Sequence, residues 1–223
     1  MTLYFAFPLT PATQSGIDEL LANLDAKVAA PQHELHTRLT VTLVDEVLAN
    51  AFEKLIERFE GAGGESSSVL HTLINLLKST VHVLVRQLLG KHGNDEVSRM
   101  AQFLRDRRVV VGEQVLFGFA LPDALGATLQ RLFAEVAAGN GKQVRGEMLP
   151  VMTQLADLAI ARFYDDFAAP MELGFIKRKA VDIGRSTITK GVHAALNKLI
   201  PSLGQKELGV FAGYYGSLLV EAA

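Results

Sequence analysis

The sequence predicts an all-α fold, an antiparallel helical bundle of about seven or eight helices in a single domain over 1–223, with a core about 16–200 and a C-terminal helical extension over 201–223. Three observations carry this expectation. Apolar residues recur at helical spacing through most of the chain, capping and helix-breaking residues bound those stretches, and no segment reads plainly as a strand. With 223 residues, 49 % of them hydrophobic and 21 % charged, the chain is long and apolar enough to bury a sizeable core.

Taken in order, Ser15 with Asp18 reads as an N-cap pair, and Ile17, Leu20, Leu21, Leu24 and Val28 follow as one apolar face of a helix over 16–29. Pro31 stops it. The stretch TRLTVTLV at 37–44 alternates with period two, a strand signal, yet runs without a turn into a clear helix over 44–59, so helix is favoured. That helix sets Val44, Leu48, Phe52, Leu55 and Phe59 against Glu46, Asn50, Glu53, Glu57 and Glu60, which read as a solvated face. GAGGESSS at 61–68 is a connector whose serines suit the cap of the next helix, 68–89, closed by Gly90. Asn94, Asp95 and Glu96 open another helix reaching Arg107.

VVVGEQVLFGFAL at 109–121 has the β-branched content of a strand, and helix is favoured on continuity. Pro122 starts a helix that the GNG at 139–141 ends, and 142–168 forms a long helix with a kink expected at Pro150. Two helices follow, broadly 172–200 and 205–221, separated by Pro201.

Several chemistries are excluded. The chain has no cysteine, which removes disulfides, thiolate metal sites and cysteine nucleophiles. A net charge of −2 and a pI near 6.3 give no general positive field for nucleic acid, so no nucleic-acid partner is expected. His33 and His36 in HELH lack the spacing of a zinc protease, and GNGK at 139–142 lacks the earlier glycine and the Ser or Thr of a phosphate loop. DIGRSTITKGVHAAL at 182–196, with Lys177, Arg178, Lys179 and Arg185 around it, resembles the wording of a DNA-recognition helix but lacks the turn that would seat its supporting helix. The N-terminus has an apolar start without a basic segment, interrupted by Pro8 and Pro11, so a cytoplasmic protein, at most peripheral at a membrane, is expected. No cofactor is implied.

One helix poses a question. Within LLKSTVHVLVRQLLGKHGNDEV at 76–97, Lys78, His82 and Arg86 form one row, joined upstream by His71, on a helix that is otherwise almost entirely Leu, Ile and Val. Two readings follow from the pattern: the wet edge of a central bundle helix, or the mouth of an internal apolar cavity, where cationic groups meet the anionic end of a greasy ligand.

The longer run LLKSTVHVLVRQLLGKHGNDEVSRMAQFLRDRRV at 76–109 resembles the second and third helices of the TIPE family, the tumour-necrosis-factor-induced protein-8-like proteins. VDEVLANAFEKL at 44–55 is similar to the helix preceding them, and ALNKLI at 195–200 to their C-terminal helix. The resemblance spans roughly 44–200. It implies an antiparallel α-bundle around a long apolar cavity that accepts lipid tails, with Arg86, Arg105, Arg107 and Arg108 inheriting the grip on a phosphorylated head group. Guanidinium groups suit that role because they donate in a fixed fork.

The expected function is therefore a non-enzymatic carrier or signalling adaptor for a lipid-like or other apolar anionic ligand, with Lys78, His82, Arg86, Arg105, Arg107 and Arg108 as ligand-binding residues. A homodimeric or other protein-interaction module without a ligand is the alternative, and an enzyme of unrecognised type using His71 or His82 the third.

Overall fold

Four strands, none of them expected, change the fold class. The computed structural model describes residues 2–62, 67–90 and 92–222, and the chain is α+β rather than all-α. Strands β1 (Thr2–Phe7), β2 (Arg108–Val111), β3 (Gln114–Ala120) and β4 (Leu219–Ala222) form one antiparallel sheet in the order β2-β3-β1-β4. The segment expected to be a helix over 109–121 is the β2–β3 hairpin. Val111 pairs with Gln114 across a two-residue turn in which Gly112 takes φ +59°, a value only glycine adopts without strain. The C-terminal extension is helical only in part, because its last residues pair with β1, Phe5 opposite Leu219 and Thr2 opposite Ala222.

The sheet curls until its two edge strands, β2 and β4, approach one another, giving a half-barrel. Period-two alternation then separates two apolar faces. Phe5, Phe7, Phe117 and Phe119 point outward into the main core, while Ala6, Val109, Leu116 and Ala222 fill the inside of the curl. Ala6 and Ala222 keep β1 and β4 close on this inner side. A Cβ on Gly118 would fall on the Phe5 carbonyl oxygen and on Ala6, so only glycine lets β3 lie this close to β1.

Helices cover the outer face. Helix α1 (Pro11–Asp25) starts earlier than expected: Thr10, not Ser15, is its N-cap and accepts from the Thr13 backbone N–H at 3.3 Å. Glu46 completes that cap, accepting from the Thr10 backbone N–H at 2.8 Å and from both threonine hydroxyls. TRLTVTLV is helical, inside α2 (His33–Leu48). A π-helical turn (Ala49–Glu53) joins α2 to α3 (Lys54–Gly61), and then come α4 (Ser67–Leu88) and α5 (Asn94–Asp106), close to their expected bounds. The connector between α3 and α4 falls at 63–66, outside the described residues.

After the hairpin come α6 (Asp123–Glu135), a π turn (Val136–Asn140), α7 (Gly141–Ile160), a third π turn (Ala161–Asp165) and the short α8 (Asp166–Ala168). The long α9 (Phe175–Ser202) contains Pro201 in its last turn, and α10 (Gln205–Gly216) leads into β4.

Helix α4 packs antiparallel on α9, with Leu84 against Gly184 and Leu76 against Gly191. The segment Ser68–Leu88 is by length and composition apolar enough to cross a membrane, yet here it lies against α2, α3 and α9. One large hydrophobic cluster draws residues from β1 through α10, so sheet and helices share a single core.

Candidate functional site

The core is not solid. Between the outer face of the sheet and helices α2, α4, α7 and α9 lies a cavity of about 200 Å³ whose walls are almost wholly apolar. Phe7 and Phe117 form its sheet wall, Leu84 and Val85 its α4 wall, and Leu155 and Ala159 its α7 wall. Val44, Phe52, Val81 and Ala156 line it while only partly buried, so the cavity communicates with the surface. Left empty, such a volume would cost about 5 kcal/mol at roughly 24 cal/mol per Å³. That is comparable with the net stability of a whole domain, on the order of 5–15 kcal/mol.

Two of the three π turns border this space. Ala51 and Phe52 come from the first, Phe163 and Tyr164 from the third. A π turn widens the helix and frees carbonyl oxygens from the regular ladder, and such turns are frequent at functional sites. Here the freed oxygens find partners on α10: Tyr215 donates to the Ala51 carbonyl at 2.9 Å and Tyr214 to the Asn50 carbonyl. Burial pushes the Tyr214 hydroxyl up to about 12 and raises Tyr215 as well, so both remain donors at any ordinary pH.

Four polar side chains line the cavity: His36, Thr40, Tyr164 and Tyr215. Three have placed their hydroxyl proton on the backbone. Thr40 donates to the His36 carbonyl at 2.9 Å, Tyr164 to the Val181 carbonyl at 2.7 Å, and Tyr215 to Ala51. The His36 imidazole alone makes no hydrogen bond with the described residues, although it is 2 % exposed. Desolvation lowers its pKa to about 4, with a smaller repulsive contribution from His92, so at neutral pH it is an uncharged ring with one donor and one acceptor to offer. His33 is not its metal-binding partner in this arrangement, for it lines an outer groove between α2 and the end of α4, while His36 points to the cavity. Among the described residues no cluster of three or more His, Asp or Glu could hold a metal ion.

The row on α4 has a simpler origin than a cavity mouth. Lys78 meets Glu53 at 2.5 Å, His82 meets Asp45 at 2.9 Å and His71 meets Glu60 at 3.1 Å, a ladder of one ion pair and two histidine–carboxylate contacts between antiparallel helices. Two members of the stripe read as solvated, Glu53 and Glu60, are partners in this ladder, and Glu46 caps α1 instead. The Glu53 hydrogen bond, outweighing a smaller opposing desolvation, raises the Lys78 pKa, so the lysine stays charged. Arg86 lies beyond the last acid of the ladder, exposed and without an ion-pair partner among the described residues.

The RDRR arginines are engaged elsewhere, at the far end of α5. Arg105 meets Asp25 at 2.5 Å, Arg108 meets Asp18 at 2.5 Å, and Arg107 meets Asp166 at 2.6 Å. The first and second tie α5 and β2 to α1, and the third ties them to α8. Arg107 is 8 % exposed and stands over the Phe103 ring, and burial lowers its pKa while Asp166 opposes the shift. The six residues expected at a head-group site therefore do not converge: Lys78, His82 and Arg86 run along α4, and the other three brace the joint between α5 and the sheet.

His36 is the site residue that pattern reading passed over. Its signal was present, a histidine at the apolar spacing of Leu39, Thr40 and Leu43 on α2, but with His33 three residues before it the pair reads as surface at a helix start. Fold and site together define an α+β cavity protein in which, among the described residues, His36 is the polar side chain of the cavity wall that makes no hydrogen bond. Comparisons with protein-family models, with curated proteins and with solved structures find no match to this chain.

Proposed function

We propose that this protein is a non-enzymatic carrier or adaptor that holds one apolar, lipid-like molecule in the internal cavity, its polar end hydrogen-bonded to His36. The observation that carries this reading is an apolar cavity of about 200 Å³ whose one unpaired polar side chain is a neutral imidazole. Each methylene buried there contributes about 0.8 kcal/mol, so a short acyl or isoprenoid segment is held mainly by its tail. His36 selects the head, accepting from a hydroxyl or carboxylic acid, or donating to a carbonyl or carboxylate. This replaces the arginine head-group grip that the TIPE resemblance implied, because Arg105, Arg107 and Arg108 already hold carboxylates and Arg86 lies apart from them on α4.

Titration of delipidated protein with a fluorescent fatty-acid probe tests the reading. Saturable one-to-one binding is expected, weakened about fivefold by His36→Phe through loss of one neutral hydrogen bond. Arg105→Glu with Arg108→Glu should leave it unchanged. Absence of saturable binding, or loss of binding in the arginine variant alone, refutes it.

A further inference from the structure

Beyond the cavity, the start of α9 carries an unusual surface. Phe175 and Ile176 are both 83 % exposed, the most exposed large apolar residues among those described. Lys177, Arg178 and Lys179 follow directly, all exposed and none in an ion pair among the described residues. The arginine cluster at 105–108 is by contrast paired with carboxylates, through Arg105, Arg107 and Arg108. One helical turn and two turns further on, α9 presents Lys179 and Ile183, the latter 59 % exposed, in line with Ile176. The antiparallel packing of α4 on α9 places Val83, 51 % exposed, and the free Arg86 on the neighbouring helix.

We propose that this tip, centred on Phe175–Lys179, docks the protein onto an anionic lipid bilayer. The chemistry fits that occupant on two counts. Phe175 and Ile176 are two adjacent side chains able to enter the acyl boundary, where burying them recovers the free energy now lost to water. The three free cations beside them, with Arg86 nearby, sit at the level of the lipid phosphates, where each basic residue changes partitioning about fivefold. A second copy of this chain is the poorer occupant, since an isologous contact over this patch brings two cationic clusters face to face. A flat apolar protein groove would accept Phe175 and Ile176 but has no use for three unpaired cations beside them.

The tip lies close in the chain to residues of the cavity wall. Tyr164 and Ala168 line the cavity, Tyr164 is bonded to the Val181 carbonyl of α9, and Phe175 follows Ala168 by seven residues. The docking does not depend on the cavity reading, and either can fail alone.

Flotation with vesicles of neutral phosphatidylcholine, and of phosphatidylcholine with 30 % phosphatidylglycerol, tests it. Binding to the anionic vesicles should exceed binding to the neutral ones at least tenfold and weaken as salt rises. Lys177→Gln with Arg178→Gln and Lys179→Gln should lower it about a hundredfold. Phe175→Ser with Ile176→Ser should lower it by a similar factor, and both variants should bind the fatty-acid probe in the cavity as the wild type does. Equal binding to the two vesicle types, no binding to either, or unchanged binding in either tip variant overturns the proposal. Concentration-dependent dimerisation abolished by Phe175→Ser with Ile176→Ser would assign the tip to a second copy and likewise overturn it.

Discussion

Acidification should unfold this protein through His36 in a way that a single substitution removes. Folding takes the imidazole from water, where its pKa is 6.5, to a site where desolvation holds it near 4. Between those values the unfolded chain binds a proton that the folded chain does not, so stability falls as pH falls from 6.5 toward 4 and levels off below. At roughly 1.4 kcal/mol per pH unit, moving from pH 7 to pH 4.5 removes about 2.5 kcal/mol through this residue. In urea titrations this is a midpoint lower by about 1 M for a slope on the order of 2–3 kcal/mol per M. Carboxylates titrate over part of the same range, so the informative quantity is the difference between the wild type and His36→Gln, which has no proton to gain. The wild type should lose about 2.5 kcal/mol more than the variant over this interval. Equal losses would mean that the His36 ring reaches water or a partner in the folded state, and the assignment of a desolvated anchor would fail.

Other perturbations read different parts of the structure. Ala156→Leu adds volume where a solid core would resist it by about 1–3 kcal/mol, but beside a cavity it should leave the melting temperature unchanged or raised, and a fall of several degrees would contradict the cavity. Tyr215→Phe strips the Ala51 carbonyl of its partner in the first π turn and should cost about 1–2 kcal/mol, read as a drop of about 2–8 °C in Tm. Gly118→Val should abolish soluble folded protein, since its Cβ coincides with backbone of β1; a normally folded variant would refute the curled sheet. Arg105→Glu with Arg108→Glu breaks two partly exposed pairs and should cost no more than about 2 kcal/mol in a denaturant titration.

The helices were legible where their signal was local. Asn94 with its two acidic followers, Gly90 after a long apolar run and Pro122 before another each marked a true boundary, because caps act within one turn. The sheet was not legible, because what makes it a sheet is pairing between residues more than a hundred positions apart. Thr2–Phe7 alone is six residues of mixed character, and Leu219–Ala222 is four; neither is a strand until it meets the other. The hairpin did carry a local signal, β-branched runs flanking Gly112 and Glu113, and continuity with α5 outweighed it wrongly.

The same division holds at the site. The row of Lys78 and His82 was visible in the sequence, but its meaning lay in Glu53 and Asp45 on another helix, and only packing brings those together. A cavity was one of two readings of the α4 row and was implied by the TIPE resemblance, though the same Leu, Val and Phe residues would write a solid core. His36 read with His33 as a surface pair at a helix start, because a sequence shows spacing and not which way a ring points.

The most direct measurement is solvent extraction of the purified protein followed by mass spectrometry of the extract. A molecule with an apolar tail and one polar head, close to one per chain and lost when the cavity is filled by Ala159→Phe in a folded variant, is the predicted result. An extract free of any such molecule, both as purified and after incubation with mixed lipids, would contradict the account.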